Sequence, residues 1–322
     1  MLDRRALLIA AASLTAPLAA CGRQPTVVEG GVLAAGQPAA LLVFALAPER
    51  LIGWPRRPAP DALALLPPSA DRPETGALAS GGPPIGVEAA AATRPAIVID
   101  YGDLDADYQA LAARVRRELD VPYTLIDGAL SATPDAFRQA GRALGLDAIA
   151  ARYAEDAEAL LAALRPGSGP SYYLARGDDG LETAFPDALA AQVLQAGGWA
   201  NVATGGENLG RVSREQIAAW DPEVIVTQVP RFAEAVANDP FWRRRRSGAP
   251  RRLVLLPDRP FGWIDKPPSV NRLLGVAWLA SRDPLGPPDP ALAQTVAALH
   301  ERLYHRRPTP EETLSLLPRV FA

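Results

Sequence analysis

The chain has 322 residues, 48% of them hydrophobic, and its 33 basic and 36 acidic side chains give a formal net charge of −3 at pH 7. A chain of this size can bury about three quarters of its unfolded surface, which excludes a disordered tail or a small disulfide-stapled module. The faintly acidic balance excludes a polyanion binder that works by bulk charge, and one cysteine, one methionine and two histidines argue against a thiolate or multi-histidine metal site.

Residues 1–21 have the layout of a bacterial lipoprotein signal. Arg4 and Arg5 precede a short apolar run, and the Leu-Ala-Ala before Cys21 resembles a lipobox, in which the cysteine is lipidated and becomes the first mature residue. The arginine pair leaves both the twin-arginine and the general export route open, and the motif does not say which membrane leaflet holds the lipid. We predict a signal peptide over 1–21, a tether over 22–38 and a periplasmic, lipid-anchored protein.

Short apolar runs alternate with amphipathic segments over the rest of the chain, which is typical of α/β lobes with parallel sheets. In chain order, the patterns predict strands over 41–46, 97–100, 123–126, 171–175, 224–227 and 253–256, and helices over 87–93, 105–119, 134–144, 147–164, 185–197, 270–280 and 290–304.

One stretch of sequence occurs in similar form in both halves of the chain. Residues 86–99 and 212–226 each read as a short helix with a glutamate in its first turn (Glu88 and Glu215), then a proline and a buried strand. A first-turn glutamate is stabilised by the helix dipole, so a structural role alone accounts for both. The repetition predicts two pseudo-equivalent lobes.

The repeated stretch resembles the periplasmic substrate-binding proteins of the ABC importers that take up ferric siderophores, cobalamin, haem and, in some members, molybdate. Residues 196–203 resemble the glycine–glycine–x–asparagine turn of this family, and residues 261–275 resemble its late loop–helix signature. Residues 278–280 and 303–311 fit the family's C-terminal segment. The resemblance covers most of the mature chain, with the segments in the family's order.

The resemblance implies the class III fold: two parallel-sheet α/β lobes joined by one long α-helix. The lobes would be residues 39–146 and 166–322, with the connecting helix at 147–165, a rigid joint, and a ligand held at the carboxyl ends of the strands. Glu88 and Glu215 match the family's two docking carboxylates, which engage arginines on the two permease subunits.

We choose candidate ligand-binding residues by their position, either close after a predicted strand or in the loop before the late helix. Aromatic walls and cationic donors suit an oxygen-rich metal chelate or an oxyanion. The candidates are Trp54, Tyr101, Arg231, Arg259, Trp263 and Lys266. Lys266 is the only lysine among the 33 basic residues of the chain. So low a ratio of lysine to arginine indicates coding bias, and an isolated arginine is therefore not by itself a sign of a site.

We therefore expect a monomeric capture protein with no catalytic residue, no cofactor and no protein-built metal site. It would deliver a ferric siderophore to an ABC importer permease dimer, touch the membrane through its lipid alone and bind no nucleic acid. Molybdate, cobalamin and haem are alternative ligands. The alternative of another class is an exported chelate-processing enzyme, for which Asp100 or Asp265 would serve as acid or base.

Overall fold

The computed structural model describes residues 29–164, 167, 169–236 and 238–321. The predicted signal peptide, its Cys21 and the first part of the predicted tether lie outside these residues.

The described residues form ten strands and thirteen α-helices. In chain order these are β1 (Val32–Ala34), α1 (Gln37–Leu46), α2 (Pro60–Leu63), α3 (Val87–Ala92), β2 (Ile97–Gly102), α4 (Ala106–Leu119), β3 (Tyr123–Asp127), α5 (Thr133–Leu144), α6 (Asp147–Ala163), β4 (Ser171–Ala175), β5 (Glu182–Ala184), α7 (Gln192–Ala196), β6 (Ala200–Asn201), β7 (Leu209–Arg211), α8 (Arg214–Trp220), β8 (Val224–Thr227), α9 (Pro230–Val236), α10 (Pro240–Arg243), β9 (Arg252–Leu255), α11 (Arg272–Leu279), α12 (Pro290–Tyr304), α13 (Pro310–Ser315) and β10 (Arg319–Phe321).

The structure has two main sheets, one formed by strands that precede α6 in the chain and one formed by strands that follow it. The sheet before it is parallel throughout, in the order β1-β2-β3. The sheet after it has the order β10-β9-β8-β4-β6, in which only the edge strand β10 runs antiparallel to its neighbour. Strands β5 and β7 form a separate antiparallel pair. We call the residues before α6 the N-terminal lobe and those after it the C-terminal lobe.

The helix α6 is held by its own small residues and by α5. Ala150, Ala154 and Ala157 are buried along one face, and the rings of Tyr153 and Phe137 lie 5.1 Å apart, centroid to centroid. Gly145 ends α5 in the left-handed conformation, with φ of 70°, which lets the chain turn back at once into α6. The 17-residue α6 spans about 26 Å at 1.5 Å per residue.

The predicted strand over 41–46 is wrong, because this segment is the C-terminal part of helix α1. Every residue of α1 is buried, so the segment has no polar face and its apolar run cannot be told from a buried strand by periodicity. Pro38 in the first turn marks the helix start. The predicted helix over 185–197 shortens to a 3₁₀ turn followed by α7.

The predicted tether extends too far. Val32–Ala34 pairs with β2, and all three residues are buried. The first strand of the N-terminal lobe therefore lies within the segment that its small residues and glycines had assigned to the linker, and the fold begins before residue 39.

Arg272 joins the two lobes from the interior. Its guanidinium is fully buried and donates to the carbonyl oxygen of Gly128 in the N-terminal lobe at 2.5 Å, and to Leu189 O and Gln192 Oε1 in the C-terminal lobe, both at 3.3 Å. The same Gln192 Oε1 accepts from the backbone N–H of Leu130 at 2.7 Å. No carboxylate pairs with Arg272 among the described residues, so neutral oxygens alone solvate this charge.

Further contacts between the lobes lie beside α1. Ser269 Oγ donates to Pro38 O at 2.6 Å, and His305 Nε2 donates to Phe44 O at 2.8 Å. The rings of Trp54 and Phe261 lie 5.7 Å apart. The hydrophobic core is continuous across these contacts, so the lobes share one interior.

Arg272→Met tests the internal joint. The substitution leaves the carbonyl oxygen of Gly128 without its Arg272 donor and removes one of the two donors to Leu189 O, which keeps the N–H of Gln192. We expect the free energy of unfolding to fall by about 1–3 kcal/mol. Urea unfolding followed by circular dichroism measures it. Arg243→Met, at an exposed arginine, is the control and should change stability little. Equal stability of both variants would contradict this role, because it would mean that relief from burying the charge fully offsets the lost hydrogen bonds.

Candidate functional site

A cavity of about 1430 Å³ lies between the lobes. The N-terminal lobe lines it with the end of β2 and the following loop, and with residues 56–62. The C-terminal lobe lines it with Arg176, directly after β4, and with the loop 258–268 that follows β9. The cavity thus lies at the carboxyl ends of strands from both lobes, where open α/β sheets bind ligands.

The loop 258–268 is fixed by hydrogen bonds to buried side chains. Gln228 accepts from Ile264 N at 2.9 Å and donates to Asp265 O at 3.2 Å, and Asn271 donates to Gly262 O and to Pro267 O. A Cβ at Gly262 would overlap Asp265 O at 2.1 Å, so only glycine fits this close approach. The loop therefore presents its side chains from a rigid frame.

Lys266 is the cation that this frame presents to the cleft. Its side chain is exposed and lines the cavity, and its φ of 63° lies in the left-handed region, which costs a residue with a Cβ roughly 1–2 kcal/mol. Desolvation by the cleft walls lowers the pKa of Lys266, and the charge of Arg176 lowers it further. Among the described residues, Lys266 makes no ion pair.

The other charged side chains of the cleft are mostly paired. Arg176 forms an ion pair with Asp265, which is largely buried. Arg259 pairs across the cleft with Asp61 of the N-terminal lobe, at 3.4 Å. Arg57 is bound to Asp71, at 2.6 Å. Apart from Lys266, the described part of the cleft leaves one further cation without an ion pair, Arg56.

Three of the six predicted ligand residues line the cleft: Tyr101, Arg259 and Lys266. Tyr101 is almost fully buried in the wall, and its hydroxyl has no hydrogen-bond partner among the described residues. Whether these residues contact a ligand stays a prediction.

The two predicted tryptophans do not line the cleft. Trp54 is fully buried, donates its indole N–H to Ala70 O at 2.8 Å and packs against Phe44. The reasoning that placed it after a strand fails, because the preceding segment is α1. Trp263, in the same loop as Lys266, is also buried. Large aromatic side chains on a loop fold inward to bury their surface, and here both stabilise the core under the cleft.

Arg231 lies outside the cleft as well. It occupies the first turn of α9, where its side chain is exposed and pairs with Asp178 at 3.0 Å. Gln228 and Val229 separate the end of β8 from Pro230, where α9 begins, and the helix presents Arg231 at the surface rather than in the cleft.

Several side chains of the cleft are not among the six predicted ligand residues. Arg176 follows β4, at the carboxyl end where open α/β sheets place ligand-binding residues. Arg56 and Asp61 come from the proline-rich segment before α3, which carries no periodic signal. Leu104 and Leu209 line the cavity from opposite lobes, and nothing in their local sequence distinguishes them from core leucines.

The two carboxylates considered for an enzyme are both engaged. Asp100 is buried, accepts from Tyr123 Oη at 2.7 Å and from Tyr101 N at 2.9 Å, and burial raises its pKa. Asp265 is held by Arg176. Neither is a free base at the cleft surface.

Glu88 and Glu215 occupy equivalent places in the two lobes. Each is exposed in the first turn of its helix, α3 or α8. The hydrogen bond from Ser213 lowers the pKa of Glu215, which keeps it ionised. Two anionic side chains are therefore presented on the surface, one per lobe.

The described residues contain no cluster of three or more histidine, cysteine or acidic side chains that could hold a metal ion. In the same part of the chain, no helix has the length and apolar character that crossing a membrane requires.

Three solved structures show what the chain is similar to. An ABC transporter solute binding protein from Sulfurospirillum deleyianum is 22% identical over 91% of this chain and 95% of that chain, with a TM-score of 0.77. The molybdate periplasmic binding protein MolA of Haemophilus influenzae is 16% identical over 88% and 96%, with a TM-score of 0.66. The vitamin B12 binding protein BtuF of Vibrio cholerae is 16% identical over 77% and 94%, with a TM-score of 0.56.

At these identities the likeness is one of fold. It confirms the class III bilobal α/β fold that the sequence resemblance implies, and all three structures are named as binding proteins rather than enzymes. No protein-family model matches the chain, and no curated protein matches it.

The pKa of Lys266 is directly measurable because the chain has one lysine. We expect its ammonium to titrate below the usual 10.5 of a lysine, since desolvation and Arg176 both disfavour the charged form. Reductive ¹³C-methylation followed by NMR over a pH series gives one lysine signal, which Lys266→Arg removes. A midpoint at or above the ordinary value would contradict this description of the cleft.

Proposed function

We propose that this chain is the extracytoplasmic substrate-binding protein of an ABC importer, and that it captures an anionic metal chelate, in the first place a ferric siderophore, between its lobes. The observation that carries the proposal is the unpaired ammonium of Lys266 on a rigid loop in the cleft between the lobes. A fixed cation, in a cleft that holds Arg56 as a second cation without an ion pair among the described residues, suits carboxylate, catecholate or oxyanion oxygens.

The size of the cleft favours a chelate over a bare ion. Small-molecule pockets usually measure about 300–1000 Å³, and the cavity here, at about 1430 Å³, is larger than this range. A tetrahedral oxyanion would fill a small part of it. A chelate with several ligand arms would contact both lobes at once.

Molybdate is the second candidate, because one specific observation favours it. The structure of MolA, a protein named for molybdate and described bound to it, matches this chain over 88% of its length with a TM-score of 0.66, whereas the B12 binding protein matches 77% with 0.56. The cleft carries the cations that an oxyanion needs. Cobalamin and haem are further members of the test panel.

The cellular setting belongs to the same proposal. The lipobox at Cys21 and the arginine pair near the N-terminus support export and a lipid anchor, and residues 22–31 would tether the lipid to β1. Glu88 and Glu215 would dock the protein on the two permease subunits, since two exposed charges at a fixed separation orient a transient complex and speed its formation. We propose a monomer as the working unit.

Substitution of Lys266 tests the ligand site. Titrations of the full chain with ferric hydroxamates, ferric catecholates, molybdate, cobalamin and haemin, followed by calorimetry, should identify one saturable ligand without turnover. Lys266→Gln should weaken that ligand by about 10- to 100-fold, because a charged hydrogen bond contributes about 1.5–3 kcal/mol. Lys266→Arg should retain part of the affinity.

The matched control is Arg231→Gln, since Arg231 is an exposed cation outside the cleft, and it should bind as the wild type does. Unchanged affinity of Lys266→Gln would sink the assignment of this site, and hydrolysis or modification of a ligand in the titration would favour the enzyme.

The docking carboxylates are tested separately by uptake. The double variant Glu88→Ala/Glu215→Ala should abolish ligand uptake by cells while leaving the ligand affinity of the purified protein unchanged, because both side chains lie outside the cleft lining. Glu118→Ala/Glu234→Ala removes one exposed glutamate from each lobe and serves as the control. Normal uptake by the first double variant would refute docking through these residues.

A further inference from the structure

A run of arginines forms a cationic surface on the C-terminal lobe. Residues 243–246 are four consecutive arginines, and two more follow at 251 and 252. They lie at the end of the sheet where β8 and β9 begin, since Arg252 is the register partner of Val224. The cavity lies at the other end of these strands, and none of the six arginines, all of them described, belongs to its lining. We call residues 243–252 the basic face.

The basic face is an ordered part of the fold. Arg244 and Pro250 form an antiparallel bridge, so the residues between them make a tight hairpin. The guanidinium of Arg251 is buried and donates to Pro222 O and to Phe241 O, each at 3.0 Å. These bonds attach the hairpin to the segment before β8 and to α10, so its exposed side chains occupy a defined surface.

Only part of the positive charge of the basic face is neutralised. Asp221 pairs with Arg251 at 3.2 Å and with Arg245 at 3.6 Å, and Glu223 pairs with Arg245 at 3.4 Å. The other four arginines are exposed and form no ion pair among the described residues: Arg243, Arg244, Arg246 and Arg252. Two carboxylates against six guanidinium groups leave an excess of four positive charges.

The acids of the neighbouring helices do not remove this excess. Asp239, directly before α10, is already paired with Arg214 at 2.6 Å. Glu234 belongs to α9, which packs against α10 and β9, and counting it as a third acid still leaves an excess of three positive charges. The whole chain has a net charge of −3, so the basic face attracts anions against the sign of the protein as a whole.

An exposed aromatic ring lies beside the basic face. Phe321 is 43% exposed and ends the edge strand β10, and its register partner is Leu253, the residue directly after Arg252. Cations next to an aromatic ring suit the surface of an anionic membrane, where the cations bind phosphate groups and the ring enters the boundary between headgroups and acyl chains. A soluble polyanion would gain nothing from the ring.

We propose that the basic face is a docking surface for an anionic phospholipid membrane. The inference rests on the proposed export and lipid anchor, and it goes beyond the expectation that the lipid alone touches the membrane. A lipid on Cys21 would hold the protein close to the headgroups, because the ten residues 22–31 reach at most about 33–36 Å. Since the cleft lies at the opposite end of β8 and β9, docking through the basic face leaves the cleft open.

Vesicle binding tests this surface. The full chain should sediment with vesicles of equal parts phosphatidylglycerol and phosphatidylcholine, bind phosphatidylcholine vesicles far less, and lose affinity as sodium chloride is added. Arg243→Gln/Arg246→Gln/Arg252→Gln should weaken binding by about 100-fold, because each basic side chain at an anionic membrane contributes about fivefold. Every variant keeps residues 1–28, so any affinity of that segment for lipid is common to all of them.

The matched control is Arg114→Gln/Arg117→Gln/Arg142→Gln. It removes the same charge from three exposed arginines of the N-terminal lobe that form no ion pair among the described residues, and it should bind the vesicles as the wild type does. Equal losses in the two triple variants would mean that net charge rather than the basic face binds the membrane, which overturns the proposal. All the substituted side chains are exposed, so both variants should fold, which thermal unfolding checks.

Phe321→Ser separates a membrane from a soluble polyanion. It should weaken vesicle binding by about fivefold, since burial of part of a phenylalanine side chain contributes about this much, and it should leave retention on heparin unchanged. Leu314→Ser, at another exposed apolar side chain, is the control. Retention of the wild type on heparin together with failure to bind the anionic vesicles would overturn the membrane as the partner.

The capture function and the membrane surface can fail separately. The arginine triple variant at the basic face should bind the ligand identified by the titrations as the wild type does, because the basic face lies outside the cleft lining. A protein that binds a ligand but no anionic vesicle overturns the membrane surface and leaves the capture function standing. A protein that binds the vesicles through these arginines but binds no member of the ligand panel overturns the capture function and supports the membrane surface.

Discussion

The geometry of the cleft depends on one buried charge. The Arg272 guanidinium lies in the interior without a carboxylate, and its donors reach oxygens of both lobes, including Gly128 O and Leu189 O. Burying an ion is costly unless hydrogen bonds replace its water, so the oxygens must stay where they are for the charge to be tolerated. These hydrogen bonds fix the end of β3 relative to the start of α11. They thereby also hold the walls of the cleft in place.

Because the residues below the cleft are held in place, the charged side chains of the cleft keep fixed positions and can discriminate between ligands by charge. Most cationic side chains there already have a carboxylate partner, as Arg176 has Asp265 and Arg259 has Asp61. Such pairs leave little net attraction for an incoming anion. Lys266 is different because the acids of its loop, which is fixed by Gln228 and Asn271, are engaged elsewhere: Asp265 pairs with Arg176, and Asp258 lies beside Arg259. A ligand thus meets the Lys266 ammonium at a defined position, rather than a diffuse positive surface.

The parts of the fold with a visible period could be predicted from sequence: β2, α4, β3, α5, α6 and α12 lie close to their predicted bounds. The fully buried α1 could not, because a helix without a polar face has no period to detect. Arg259, Trp263 and Lys266 were all predicted from the late loop, and of these Arg259 and Lys266 line the cavity, because a place in a loop does not tell a cleft side chain from a core aromatic one. Trp54 was predicted from a strand that is in fact helix α1. The contact of Arg272 with Gly128 joins residues 144 positions apart, and no local pattern encodes it.

The contact between His305 and Phe44 bears on how the protein is made. These residues are 261 positions apart, and helix α12, which carries the chain to His305, covers α1 in the finished fold. The apolar surface of α1 therefore lacks the cover of α12 until nearly the whole polypeptide has left the ribosome. Native contacts of such sequence separation form late and slowly, so the N-terminal half completes its packing only once the C-terminal segment is present. A truncation that removes the end of α12 would therefore destabilise both halves at once.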